Sequence, residues 1–133
     1  MAQIESTAIV QAYRSLYREA LRAVQYSKPG RYVVRDQIRE GFRKGSREEF
    51  DASKIANTLE FLQGAAKERG QEHRILKNLV QTHFIRKRKT EAVVGSARDL
   101  EQLQTILQSR QRSYVAYERT LHMLNESMGL CLR

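Results

Sequence analysis

Apolar residues recur at intervals of three and four along almost the whole chain, and nothing else in it limits the fold so strongly. Ile9, Tyr13, Leu16, Ala20 and Val24 fall on one line, Val34, Ile38 and Phe42 on a second, and Ile55, Leu59 and Leu62 on a third. That spacing puts side chains on one face of a helix, whereas a strand would need alternation every second residue. A single proline and seven glycines in 133 residues leave few interior breakers. Only Arg31 to Arg35 has a locally β-like composition, and it is short. The chain is therefore expected to be all-α.

Local signals divide the periodic stretches. The spacing predicts a first helix over 7–26, capped by Ser6 or Thr7 and stopped before Pro29, because proline disfavours helical geometry at Lys28. A second helix is expected over 31–44 with Gly45 as its terminator. Ser46-Arg47-Glu48-Glu49 reads as a capping box opening a third helix that ends near Gly70. A fourth covers 71–89, with a break around Val94-Gly95. From Ser96-Ala97-Arg98-Asp99 onward, Leu100, Leu103, Leu107, Tyr114, Tyr117, Leu121, Leu124 and Met128 form a seam interrupted by Arg110, predicting one helix of about thirty residues. Residues 1–70 thus read as a three-helix domain and 71–133 as a helical extension, folded back as a hairpin or acting as a coiled-coil-like arm.

Charge narrows the choice of partner. The net charge is +9, and the excess lies in the N-terminal two-thirds of the chain. Arg14, Arg18 and Arg22 stand one helical turn apart, as do Arg35, Arg39 and Arg43. Arginine presents several donors in a fixed fork that suits phosphate and carboxylate. Two such stripes beside apolar faces could hold an anionic group at one mouth of a helical bundle; the plainer alternative is that they keep helix surfaces solvated.

Other chemistries find little footing. Acids are scattered, no nucleophile–base pairing is legible and no glycine-rich phosphate loop is present, so no enzymatic role is expected. Cys131 is the one cysteine, which excludes an intramolecular disulfide framework. His73 and His83 stand ten residues apart, unsuited to a helical ligand pair, and no metal site is expected. No apolar run approaches a membrane span. The first thirteen residues hold no Lys or Arg and include Glu5, so a conventional cleaved presequence is not visible.

The stretch AYRSLYREALR at 12–22, followed by REGFRK at 39–44, resembles the LYR-motif (complex-I LYR) family of small mitochondrial three-helix proteins. The literal tripeptide Leu16-Tyr17-Arg18 is not in the matching register. Spacing to Arg39 and Phe42 places Ala12-Tyr13-Arg14 at the signature and Leu16-Tyr17-Arg18 at the following turn, so the signature leucine is Ala12 here. The likeness covers roughly residues 8–65.

The resemblance implies a three-helix LYR bundle with no cofactor of its own, binding the mitochondrial acyl carrier protein through its acyl-4'-phosphopantetheine arm. Tyr13, Arg14, Arg18 and Arg39 would meet the phosphopantetheine, and Arg35, Arg43 and Lys44 the carrier's acids. Leu16, Ala20, Ile38, Phe42, Leu59 and Leu62 would surround the acyl chain. REGFRK, TLEFLQGAAKERG and the Phe61-Leu62-Gln63-Gly64 ending look most like the member that joins a ribosome-silencing-factor homologue on the mitochondrial large ribosomal subunit. This implies a matrix assembly factor, with Arg74, Lys77, Arg86, Lys87, Arg88 and Lys89 as candidate contacts to ribosomal RNA phosphates. Two alternatives stay open: an LYR adaptor or accessory subunit of a respiratory complex or the iron–sulfur machinery, and a freestanding basic RNA-binding helical protein.

Overall fold

The computed structural model describes residues 2–96 and 98–132, and the chain is all-α. The described residues form α1 (Ala2–Ala23), α2 (Gly30–Lys44), α3 (Ala52–Lys67), α4 (Gln71–Ser96), α5 (Leu100–Ser113) and α6 (Val115–Met128), with a 3-10 turn at Arg47–Glu49. The inward face of α1 is Ala12, Leu16, Ala20 and Ala23, all buried. Three of those four side chains are single methyl groups, which leaves a low surface against which α3 packs.

Helix α1 is shorter at its C-terminal end than its periodicity predicts. Gln25 and Tyr26 have φ of 56° and 55°. The Tyr26 amide donates to Leu21 O at 3.0 Å and the Gln25 amide to Arg22 O at 3.0 Å. These are the two bonds of a Schellman ending, with glutamine where glycine is usual. The chain then turns tightly into α2, and a Cβ on the buried Gly30 would lie 3.2 Å from Ser27 Oγ and 3.4 Å from Val24 Cβ. The α1–α2 corner therefore depends on a small residue at position 30.

The start of α3 differs from the capping-box expectation. Ser46 caps nothing with its side chain, and Arg47–Glu49 forms the separate turn. The cap is Asp51, whose Oδ1 accepts from the Ser53 amide at 2.9 Å and the Lys54 amide at 3.4 Å. Aspartate directly before the first turn satisfies two otherwise open donors and suits the positive end of the helix. Helix α4 likewise runs past 89 to Ser96, taking Val94 and Gly95 into its last turn. Asp99, and not Ser96, caps α5 through the Gln102 amide at 2.7 Å; Ala97 lies outside the described residues.

The single helix expected over 97–128 is two. In a continuous helix the Tyr114 amide would bond Arg110 O. That carbonyl instead accepts from Ser113 Oγ at 2.7 Å, and the Tyr114 amide turns to Gln111 O at 3.2 Å. A serine hydroxyl competing for a backbone acceptor bends a helix in this way.

Helix α1 packs against α2 and α3, and α4 packs against the same two, while α2 and α3 barely approach each other. The four helices form a ring with the core inside it. Leu76 and Leu79 of α4 belong to the same buried cluster as Leu16, Val34, Phe61 and Leu62, so one core draws on residues from both sides of position 70. Tyr117, Leu121 and Leu124 of α6 pack on its edge, and Leu130 and Leu132 enter it from the C-terminal tail.

Candidate functional site

Because α2 and α3 stay apart, a cavity of about 440 Å3 lies between them, closed on the other sides by α1 and α4. Its volume lies within the roughly 300–1,000 Å3 typical of small-molecule sites. The inner wall is apolar: Leu16, Ala20, Val34, Leu62, Leu76 and Leu79. Toward the α2–α3 connection the wall becomes polar, with Ser46, Arg47, Glu49, Asp51, Lys54 and the α4 residue His83. The result is a greasy interior with a charged end.

The C-terminal tail supplies part of the inner wall through Cys131 and Leu132. Gly129 stands at φ 64°, a conformation that favours glycine, and turns the chain back on α6. Asn125 then clamps the tail twice: its Nδ2 donates to Leu132 O at 2.7 Å and its Oδ1 accepts from the Leu132 amide at 3.0 Å. Thr58 of α3, itself buried, accepts from the Cys131 amide at 3.1 Å, and its hydroxyl lies 3.2 Å from Cys131 Sγ. Asn57 Nδ2 adds a bond to Gly129 O at 3.2 Å.

Five of the six residues expected around an acyl chain line this cavity: Leu16, Ala20, Ile38, Phe42 and Leu62. Leu59 packs against the core and is not on the cavity wall. Tyr13 stands between the stripes and the cavity. Its ring stacks parallel to Tyr17 at 6.3 Å and meets Phe42 edge-on at 5.3 Å, tying the signature position on α1 to a wall residue on α2.

The basic residues lie outside that wall. Arg14, Arg18, Arg39 and Arg43 are exposed, and no ion pair holds them among the described residues. Arg35 is half-buried, paired with Asp36 at 3.1 Å and set over the Tyr32 ring at 5.3 Å. Lys44 is hydrogen-bonded to Glu40 and holds that carboxyl below its usual range. The cations on the cavity wall itself are Arg47 and Lys54, which sequence reasoning passed over because neither falls on an arginine stripe. The α4 wall and the tail were also missed. A signal for the tail was available: Leu130 and Leu132 alternate after a glycine, as an extended apolar segment does.

Farther along α4, the residues expected to face RNA differ from one another. Arg74, Lys77, Lys87, Arg88 and Lys89 are exposed, and Lys87 lies 3.6 Å from Asp36 Oδ2. Arg86 is half-buried: it pairs with Glu118 of α6 at 2.9 Å and covers the Tyr114 ring at 4.6 Å.

No protein-family model matches this chain, and no solved structure does. A Schizosaccharomyces pombe protein, UPF0593 mitochondrial protein C806.05, is 37% identical to it over 79 residues. The match takes in 58% of this chain and 63% of the yeast protein, so the chain spans less than two-thirds of the curated relative it matches.

Proposed function

We propose that this protein is a non-enzymatic LYR-type adaptor of the mitochondrial matrix that takes the acyl-phosphopantetheine arm of the acyl carrier protein and serves assembly of the large ribosomal subunit. The cavity carries the reading. The apolar part of its wall, from Leu16 and Ala20 to Leu76 and Leu79, is partly open to solvent, and water standing against it finds few hydrogen-bond partners there. A lipid tail covers that surface well, each buried methylene contributing about 0.8 kcal/mol.

The polarity of the two ends supports the direction of insertion. An acyl tail suits the interior formed by Leu16, Ala20, Leu62 and Leu76, and the polar arm that carries it suits the end where Arg47 and Lys54 stand beside Glu49 and Asp51. Arg14, Arg18, Arg39 and Arg43, exposed and with no acid pairing them among the described residues, offer a surface to the acidic face of a carrier. A mitochondrial setting accords with the name of the yeast relative, and the ribosomal client rests on the resemblance of 39–70 described above.

Native mass spectrometry of the purified complex tests the reading: a small acidic partner with an acylated pantetheine arm is expected in one-to-one ratio. Arg14→Glu with Arg39→Glu abolishes its copurification while helicity stays. Stoichiometric carrier on that double variant would refute the docking surface. Absence of the tagged protein from large-subunit fractions on sedimentation would remove the ribosomal client.

A further inference from the structure

A second cavity, of about 450 Å3, opens where α4 passes the bend between α5 and α6. Unlike the first it is basic. Arg86, Lys89 and Arg110 converge on it, together with Gln111 and Tyr114. Arg110 Nη1 is buried and finds no acceptor among the described residues. A buried guanidinium nitrogen without an acceptor is costly, and such groups are rare unless a water or ion meets them.

Charge around the pocket is uncompensated. The paired acid is Glu118, held by Arg86 Nη1 at 2.9 Å, which leaves other donors of that guanidinium open. Among the described residues, three cations with one paired carboxylate leave an excess of two positive charges. The carbonyls that would oppose an anion at the end of α5 are partly covered: Arg110 O accepts from Ser113 Oγ and Gln111 O from the Tyr114 amide. The bend at Tyr114 thus does two things. It seats the Tyr114 ring under Arg86 at 4.6 Å, and it brings Arg110 of α5 to the same cavity as Arg86 and Lys89 of α4.

We propose that this pocket is a binding site for a small phosphate dianion, either free phosphate or the terminal group of a phosphomonoester. Arg110 and Arg86 grip it with guanidinium donors and Lys89 balances the remaining charge. The site is separate from the apolar cavity, so it stands or falls independently of the carrier reading. A phosphate dianion matches both the excess charge and the open donors; a single carboxylate matches half of that charge. Binding would also bridge α4 to α5 and fix an arm that otherwise packs lightly.

The test is isothermal titration of the full chain, in chloride buffer at constant ionic strength, with inorganic phosphate and with adenosine monophosphate. Saturable one-to-one binding of at least one is expected, and the tighter of the two identifies the source. Arg110→Gln weakens it roughly tenfold or more, as the loss of charged hydrogen bonds in a sheltered site does. Arg119→Gln, an exposed residue outside the pocket, leaves it unchanged. Lys89→Gln, also exposed, weakens binding several-fold and decides the matter if Arg110→Gln disturbs the arm's helicity. Absence of saturation with both ligands overturns the site. So does equal weakening by Arg119→Gln and Lys89→Gln, or an RNA oligonucleotide that binds where neither small phosphate saturates.

Discussion

The ring of α1–α4 and the arm of α5 and α6 carry equally regular apolar periodicity, yet only the ring buries it. Leu16, Val34, Phe61, Leu62, Leu76 and Leu79 are buried in the ring, whereas neither arm helix holds a buried residue. Leu100, the first residue of the arm's seam, is 76% exposed, and Met128, its last, is 47% exposed. Periodicity identifies which side chains share a face. It does not say whether anything covers that face, because cover comes from other parts of the chain. In the ring each helix has two neighbours; in the arm α5 has α4 along one side and α6 beyond a bend.

The largest effects should come from breaking the ring. Phe61 is 4% exposed and lies off the cavity wall, so its loss leaves a void that no existing space absorbs. Phe61→Ala is expected to cost about 3–5 kcal/mol in chemical denaturation. Leu107→Ala, at a half-buried position in the arm, should cost about 1 kcal/mol or less. Comparable losses at the two sites would mean that the arm is part of the core and that the contrast drawn between them is false.

A middle case tests the junction between the two regions. Asn125 belongs to α6, yet its amide holds the tail residue Leu132 against the ring through bonds of 2.7 and 3.0 Å. Asn125→Ala leaves the Leu132 amide and carbonyl without those partners, at a cost of about 1–3 kcal/mol. Hydrogen exchange should localise the loss: the amides of Cys131 and Leu132 gain exchange while those of α2 keep their protection. Uniform loss across the ring would show that the tail is a foundation of the fold and not a wall added to a formed cavity.

The same contrast explains what the sequence made legible. Helix class and the α2 boundaries were readable because Val34, Ile38 and Phe42 fix a face and Gly45 closes the segment. Local backbone competition was harder to read. The Schellman ending at Gln25 uses a residue type that gives no warning of a left-handed turn, and Ser113 breaks the arm through a hydroxyl that any helix surface can carry. Asp51 outcompeted Ser46 as the α3 cap because a 3-10 turn intervened. At the site, the apolar residues of α1 and α2 were readable from periodicity. The cations at its polar end were not, since Arg47 and Lys54 reach the cavity only through the course of the α2–α3 connection. The rest of the inner end comes from α3, α4 and the tail, whose approach is tertiary.

The smallest effect should lie where α6 packs on the edge of the ring. Tyr117 of α6 packs on the core edge with its hydroxyl buried, and no hydrogen bond of normal geometry reaches that oxygen from the described residues. Burial pushes the phenol above its ordinary 10.0, opposed by the neighbouring Thr82 hydroxyl and the Arg86 charge. A phenol whose pKa is higher folded than unfolded keeps its proton preferentially in the native state. Its contribution is therefore complete below the unfolded value near 10.0 and is lost as pH rises through the folded one. Tyr117→Phe removes an oxygen that gains nothing from burial, so stability at neutral pH should hold or rise by about 1 kcal/mol. The alkaline decline in stability should become shallower in the same variant, read from denaturation midpoints on either side of pH 10.0. A loss at neutral pH would mean that the hydroxyl does find a partner in solution, with Thr82 the nearest candidate, and that the arm is fastened to the ring by a polar contact as well as by packing.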